Sequence, residues 1–294
     1  MLPLDPFLGR DAGATLGGVL ATADSGPCRH RYGGPRDLVL GMTVVLSDRT
    51  IARSGGKVIK NVAGYDLAKV FTGSFGTLGL IGEVVVRLHP LRQASVTAIG
   101  RSNEPSSLQA AALLLAHAPL EAEAFDVSWD GDGGALLTRF GGAAAEAQAQ
   151  QAGSMMSDAG LEATIEQPDE ELWAAQRAAQ RSDEGVLLKI GGLPSDLARI
   201  LSLTRRLHGS LVGRAGLGLS WLGCASADVG GLVEAIREEL RPRRCQVFDA
   251  PEQARAELDV WGPADDGALA VMRRLKQRFD PGGVCARGLF VGGI

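Results

Sequence analysis

The sequence predicts an α+β protein made of antiparallel sheets that carry helices on one face. Two observations support this prediction. In the first third of the chain the apolar runs are short and rich in β-branched residues, which is typical of strands. From Val96 onward, pairs of strand patterns alternate with helix patterns, and this rhythm favours antiparallel hairpins over a parallel βαβ sheet.

The first region, residues 1–92, contains two predicted strands. They are 38–46, with the sequence LVLGMTVVL, and 80–88, with the sequence LIGEVVVRL. Between them the glycines are too frequent for a regular element, except that YDLAKVF at 65–71 has the length and spacing of two helical turns. We therefore interpret this region as loops on a β scaffold.

The second region shows two similar rounds of two strands plus a helix. The predicted strands are 96–100, 125–129, 135–140, 186–190, 211–213, 217–222 and 245–248, and the predicted helices are 106–117, 143–159, 195–207 and 228–240. Sequence identity between the rounds is negligible, so the repeat is an inference about structure alone. Consecutive strands joined by short turns predict one antiparallel sheet with its helices on one face.

A polar, proline-containing segment at 249–266 is interpreted as a linker, and an amphipathic helix follows at 267–279. We favour a solvated role for the basic face of that helix over an anion site. The face consists of Arg273, Arg274, Lys276 and Arg278. The chain thus divides into regions 1–92, 93–266 and 267–294.

Composition excludes several classes of protein. A chain of 294 residues with 45% hydrophobic and 22% charged residues has the composition of a folded globular protein, not of a disordered one. The net charge of −4, from 30 basic and 34 acidic residues, gives no electrostatic reason to expect nucleic acid as a partner. Because the N-terminus lacks a signal-peptide pattern and no apolar run approaches about 18 residues, we expect a cytoplasmic chain without a membrane span.

Chemical motifs are few. The dinucleotide, phosphate-loop and serine-elbow glycine motifs do not occur, and four cysteines lie far apart without a C-x-x-C pair, so we predict no metal site. Two segments are informative: 13–26, GATLGGVLATADSG, and 60–84, KNVAGYDLAKVFTGSFGTLGLIGEV. Glycines at these densities let a backbone approach a ligand closely, and they equally suit tight turns. From the residues alone both interpretations stay open.

These segments, together with RYGGPRDLVLG at 31–41, closely resemble the second half of the FAD-binding domain of vanillyl-alcohol-oxidase (PCMH) type flavoproteins. Segment 60–84 is most similar to the FAD-binding E subunits of bacterial glycolate oxidases, and a weaker similarity returns at 279–293. The resemblance implies that 1–92 is the second lobe of a PCMH-type FAD-binding domain. It further implies that 93–266 is a ferredoxin-like, cap-like domain and that 267–294 returns to the FAD domain.

The resemblance also implies which residues contact FAD. Those of the first segment and the strand end before it are Pro3, Asp5, Gly13, Ala14, Thr15, Gly17, Gly18, Thr22, Ala23, Asp24, Ser25 and Gly26. Those near the adenosine part are Gly76, Thr77, Leu78, Gly79, Leu80, Ile81 and Gly82. Family members usually have Thr where this chain has Gly82. Asn61, Gly64 and Tyr65 fit the E-subunit pattern, although Tyr65 equally suits an interior tyrosine with a satisfied hydroxyl.

Two departures from the family pattern shape the functional expectation. Relatives place an earlier lobe, which carries a diphosphate-binding loop, before the strand that ends at Pro3, so we expect residues 1–294 alone to bind FAD weakly or not at all. Members that oxidise 2-hydroxy acids carry clustered histidines, whereas His30, His89, His117 and His208 are scattered. DGDGG at 130–134 is interpreted as a hairpin turn. We therefore assign no catalytic base.

The resulting hypothesis is an auxiliary FAD-binding subunit of a glycolate oxidase complex. It would work beside a catalytic flavin subunit and an iron–sulfur subunit, in a structural or electron-relaying role. One alternative is a self-sufficient FAD-dependent 2-hydroxy-acid dehydrogenase, which the scattered histidines disfavour. Another is a degenerate interaction protein without flavin.

Overall fold

The computed structural model describes residues 1–7, 13–57, 65–91, 94–131, 133–181 and 185–294. The chain forms two compact units: the first combines residues 1–91 with 263–294, and the second comprises residues 92–262. Each unit combines helices with an antiparallel sheet, which confirms the α+β prediction.

The first unit begins with short helices and a small sheet. Its N-terminal elements are α1 (Leu16–Thr22), α2 (Arg29–Tyr32), α3 (Pro35–Leu38), β1 (Val39–Val45), β2 (Ile51–Gly55), α4 (Ala68–Phe71) and β3 (Leu80–Val86). The predicted strands at 38–46 and 80–88 are confirmed as β1 and β3, and the predicted turns at 65–71 form the shorter helix α4.

Helix α1 corrects the prediction that this segment is a loop. Thr15 caps the helix, because its Oγ1 accepts a hydrogen bond from the Gly18 amide at 3.0 Å. Val19 and Leu20 are buried on one face. The two glycines at 17–18 hid this helix in the sequence, since glycine lowers helix propensity.

The second unit carries most of the regular structure. Its elements are β4 (Ser95–Ser102), α5 (Pro105–Ala116), β5 (Ala124–Asp130), β6 (Gly133–Gly141), α6 (Ala145–Asp158), β7 (Glu162–Glu166), α7 (Glu170–Ala178), β8 (Val186–Gly191), α8 (Leu197–Arg206), β9 (Ser210–Arg214), β10 (Leu219–Cys224), α9 (Val229–Leu240), β11 (Arg244–Asp249) and α10 (Glu252–Glu257). A last helix, α11 (Asp266–Phe279), returns to the first unit. Helix α10 lies within the segment that was interpreted as a linker.

The small sheet of the first unit has the strand order β2-β1-β3. Met42 and Val44 of β1 point into a core that also holds Leu20 and Phe71. Phe279 of α11 packs edge-on against Phe71, with 5.2 Å between ring centroids. The C-terminal helix is therefore part of this core.

The opposite face of the small sheet carries an apolar row. Val45 is paired with Ile51 on one side and with Leu80 on the other. Ile51 is 65% exposed and Leu80 is 68% exposed. Ile51 on β2 and Leu80 on β3 therefore lie on the surface of the unit, and Leu80 belongs to the predicted adenosine segment, 76–82.

The eight strands of the second unit form one sheet in the order β11-β8-β10-β9-β5-β6-β4-β7. The two predicted rounds are confirmed and extended: each is a βαββαβ unit, from β4 to β7 and from β8 to β11. The two βαββαβ repeats, both within the second unit, join where β5 pairs antiparallel with β9. Strand β7, the sequence EATIE at the edge of the sheet, was not predicted because its residues are mostly polar and exposed.

The prediction that the helices cover one face is wrong for α7. Side chains of α5, α6, α8 and α9 share one large core with the sheet. Helix α7 instead places Trp173 on the other face, against Ala124 and Leu137. The indole Nε1 of Trp173 donates to the Thr97 hydroxyl at 2.8 Å. The apolar residues of α7 are one short run, LWAA at 172–175, which shows no helical periodicity, and this helix was therefore not predicted.

Buried ion pairs lie beneath α7. Asp126 and Arg214 are both fully buried, with 2.6 Å between the carboxylate Oδ2 and Nη1. Gln176 donates to Asp126 at 3.0 Å, and Gln180 accepts from Arg214. These hydrogen bonds compensate the desolvation of the two charges and fix α7 on the sheet.

We expect Asp126→Ala to lower the free energy of unfolding by about 3–5 kcal/mol, because it leaves the buried Arg214 charge without its carboxylate. The matched control is Glu238→Ala, whose exposed pair with Arg241 contributes roughly 0–1 kcal/mol. Urea denaturation followed by circular dichroism measures both values. Equal, small effects for the two variants would contradict this assignment.

Candidate functional site

The structure brings the two predicted glycine-rich segments together. The amide of Gly73 donates to the carbonyl of Leu20 at 2.9 Å, and the amide of Phe75 donates to Ala21 at 2.8 Å. The last turn of α1 is therefore joined by main-chain hydrogen bonds to the loop that precedes β3. Residues from 13–26 and 76–82, which the same resemblance predicts to contact FAD, belong to one unit.

Local contacts at residues 23–26 fix the C-terminal end of the first segment, 13–26. Ala23 takes a left-handed conformation with φ 53°, which ends α1 and turns the chain. The Asp24 carboxylate accepts from the Ser25 amide at 2.9 Å, and the Ser25 hydroxyl accepts from Arg29 at 3.1 Å. The Gly26 amide donates to Leu4 at 2.9 Å, which places residues 3–5 beside this segment. Pro3 and Leu4 form a turn there, so the expected strand end is wrong.

Its glycines fall into two groups. A Cβ added at Gly13 or Gly17 would have no atom of the described residues within 4 Å, and one at Gly18 would meet only the Thr15 hydroxyl at 3.2 Å. A Cβ at Gly26, in contrast, would overlap the carbonyl oxygen of Asp5. Packing within the chain therefore explains the glycine at 26, and the left-handed conformation with φ +76° explains the glycine at 13, whereas neither explains the glycine at 17. Both 13 and 17 face open space among the described residues.

The second segment contains both buried and open positions. Thr77 and Leu78 are buried, and a Cβ at Gly79 would lie 3.0 Å from the carbonyl oxygen of Val45. That glycine is explained by its contact with β1. Gly82 lies in a bulge, since the register passes from the pair Val44–Ile81 to the pair Thr43–Glu83. The open surface of this segment is therefore formed by 80–82.

Other predicted residues have different outcomes. Asn61 and Gly64 lie outside the residues that the structure describes. The interpretation of Tyr65 as an interior tyrosine is wrong, because its side chain is 90% exposed. Lys276, predicted to lie on a solvated basic face, is instead hydrogen-bonded at the loop before β3.

Both histidines of the first unit have lowered pKa values. Burial, and then the charge of Arg31, lowers the pKa of His30, and burial followed by Arg87 lowers that of His89. Both imidazoles are therefore neutral at pH 7. In the second unit, burial raises the pKa of the Cys245 thiol to about 11, so this thiol is protonated there.

Neither a metal cluster nor a membrane helix occurs in the described part of the chain. No group of three or more His, Cys, Asp or Glu side chains is arranged to hold a metal ion there. Within the same residues, every helix is too short or too polar to cross a bilayer.

Sequence comparison identifies relatives of this chain. The chain is 40% identical over 114 residues to the mitochondrial D-lactate dehydrogenase [cytochrome] of Arabidopsis thaliana, which covers 39% of this chain and 19% of that enzyme. It is 41% identical over 98 residues to glycolate oxidase subunit GlcE of Escherichia coli, covering 33% of this chain and 27% of GlcE. The chain is related to these oxidoreductases. The two identities are nearly equal, and both matches span less than a third of the relative.

Two further comparisons cover almost the whole chain. An uncharacterized FAD-linked oxidoreductase, Rv2280 of Mycobacterium tuberculosis, is 25% identical over 331 aligned residues, which cover 95% of this chain and 70% of the relative. An alkyldihydroxyacetonephosphate synthase structure superposes with a TM-score of 0.64 at 16% identity, covering 97% of this chain and 60% of the synthase.

A VAO-type flavoprotein of Myceliophthora thermophila superposes with a TM-score of 0.56 at 15% identity, covering 92% of this chain and 59% of that protein. The fold is thus shared with VAO-type flavoproteins over most of the chain. No protein-family model matches the sequence.

The open glycines give a direct test of the site. We expect Gly17→Asp to raise the Kd for FAD at least about tenfold, because a carboxylate would fill the open space and repel the cofactor diphosphate. The fold should be retained, since an acidic residue suits the first turn of a helix. Fluorescence titration and far-UV circular dichroism measure the two effects.

The matched control is Gly191→Asp, which introduces the same charge at another open glycine, in the second unit. An unchanged Kd in Gly17→Asp would remove α1 from the cofactor site. A Kd raised equally by both substitutions would show that added negative charge alone, and not contact with the cofactor, causes the loss.

Proposed function

We propose that this chain is an FAD-binding subunit of a complex that oxidises a 2-hydroxy acid such as glycolate. Its role is structural or electron-relaying, beside a catalytic flavin subunit and an iron–sulfur subunit. The observation that carries this proposal is the open glycine surface at 13–18, joined by main-chain hydrogen bonds to the loop before β3. Both segments resemble the second lobe of a PCMH-type FAD-binding domain.

The same proposal assigns roles to the two units. The first unit is the FAD lobe, with residues 267–294 packed back on it, and the second is a ferredoxin-like cap built from two βαββαβ units. Bound FAD would supply the hydride or electron acceptor of the reaction. The chain would contribute unhindered main-chain amides near Gly13 and Gly17, and Leu80 would contribute an exposed apolar side chain from the other segment.

An auxiliary role is favoured over catalysis because the described residues hold no group of three or more His, Cys, Asp or Glu side chains like the histidine cluster of the catalytic members. Oxidation of a 2-hydroxy acid needs a base within hydrogen-bond reach of the hydroxyl. His117 lies at the end of α5, where its Nδ1 is 2.9 Å from the carbonyl of Leu113, and His208 follows α8. His30 and His89 belong to the other unit, where His89 packs edge-on against Tyr32.

A second candidate is a self-sufficient FAD-dependent 2-hydroxy-acid dehydrogenase. The similarity to the D-lactate dehydrogenase of Arabidopsis thaliana favours it, because that protein is named as an enzyme and not as a subunit. A flavin-free interaction protein is the third candidate, and FAD retained by this chain itself, beyond that of the catalytic flavin subunit, would contradict it.

Reconstitution distinguishes these candidates. We expect this chain alone, supplied with FAD, to show no reduction of an artificial dye by glycolate, because it lacks the base. Activity should appear when the catalytic flavin subunit and the iron–sulfur subunit of a bacterial glycolate oxidase are added. The assays compare this chain, the catalytic subunit, both together and all three.

The Gly17→Asp and Gly191→Asp variants refine the result. Loss of activity in the complete mixture with Gly17→Asp alone supports an electron-relaying FAD, whereas unchanged activity supports a structural role. Dye reduction by glycolate with this chain alone would contradict the auxiliary role and favour the self-sufficient dehydrogenase. If this chain co-purifies with neither subunit, the proposal that it belongs to such a complex is contradicted.

A further inference from the structure

The C-terminal segment touches the predicted adenosine loop through one buried ammonium group. Lys276 Nζ donates to the Thr77 carbonyl at 2.7 Å, to Asp280 Oδ2 at 2.6 Å and to the Cys285 carbonyl at 2.7 Å. An ammonium has three donors, so all of its hydrogen-bonding capacity is used. The side chain of Lys276 is 15% exposed and that of Asp280 is fully buried.

Asp280 is built to hold that ammonium. Its carboxylate also accepts from the amides of Val284 and Cys285, at 3.1 and 2.9 Å. Burial alone would raise the pKa of Asp280, but the Lys276 ammonium and these amides hold it well below its ordinary value. The pair is therefore ionised at neutral pH, and the tail after α11 is folded around it.

The loop that Lys276 contacts needs support. Phe75 has φ 54° and Gly76 has φ +72°, so two consecutive residues are left-handed, a costly conformation for phenylalanine. The Phe75 ring stacks on Phe290 of the tail, with 5.5 Å between ring centroids. The Thr77 carbonyl is the one point where a charged side chain of α11 reaches this loop among the described contacts.

We propose that Lys276, held by Asp280, is a positioning residue. It keeps residues 76–82, which are the end of the loop before β3 and the start of that strand, in their FAD-binding conformation. The inference rests on the proposed function, because it takes FAD as the ligand of this loop. Lys276 acts on the loop through the Thr77 carbonyl, while the main-chain bonds to α1 hold its other side. Together the two attachments fix the distance between the open glycines and the loop.

The test compares Lys276→Met with Arg274→Met, which removes the same charge from an exposed position on the same helix. In the flavin-free full chain, hydrogen exchange of the Phe75 and Thr77 amides should accelerate at least about tenfold in Lys276→Met and not in Arg274→Met. FAD titration up to millimolar concentration should then give a Kd raised at least about tenfold at full binding stoichiometry.

A second variant, Lys276→Met with Asp280→Asn, removes both charges and guards against unfolding caused by an unpaired buried carboxylate. It should show the same rise in Kd. A merely structural role would lower the number of binding sites and leave the Kd of the folded fraction unchanged, which overturns the proposal. Unchanged amide exchange also overturns it.

Failure of the proposed function gives a different pattern. If the wild-type chain binds no FAD, either alone or in the complex beyond the FAD that the catalytic subunit holds, the cofactor assignment of the loop is overturned, whatever the exchange data show. If the wild type binds FAD and Lys276→Met binds it equally tightly, the positioning role fails and the proposed function stands.

Discussion

The first unit depends on main-chain hydrogen bonds more than on side-chain packing. Among the described residues its largest buried cluster contains seven side chains, and four of the 14 residues at 13–26 and four of the 10 at 73–82 are glycine. Leu20 and Ala21 therefore hold the neighbouring loop through their carbonyl oxygens. Each such hydrogen bond contributes about 0.5–1.5 kcal/mol to stability, and leaving a buried donor or acceptor unsatisfied costs more. The main-chain hydrogen bonds can therefore specify this arrangement without large apolar side chains.

The same constraint explains where a flat cofactor could lie. Side chains that would normally fill the space above α1 are absent at Gly13 and Gly17, while glycines at 26 and 79 are required by close contacts inside the chain. A glycine-rich sequence thus contains two kinds of glycine, and only the three-dimensional contacts separate them. Composition alone left the two interpretations equal.

Much of the second unit could be predicted because its elements are long and periodic. Helix α9 and the hairpin of β5 and β6 occur almost where their patterns place them. Helix α7 and strand β7 could not be predicted, since burial of Trp173 and pairing with β4 depend on distant partners. The candidate segments were identified by resemblance, whereas the contact between Lys276 and Thr77 joins residues 199 positions apart and leaves no local signal.

The edge strand β7 has a consequence for how copies of this protein behave in concentrated solution. An unpaired strand edge is a template on which a second sheet can extend. Glu162 and Glu166 at the two ends of β7 would bring like carboxylates together in such a pairing. At the opposite edge, the amide of Val247 in β11 is already bonded to Val260. Charge repulsion at the β7 edge therefore disfavours the pairing of two such sheets through β7, and one amide of the β11 edge is already used within the chain.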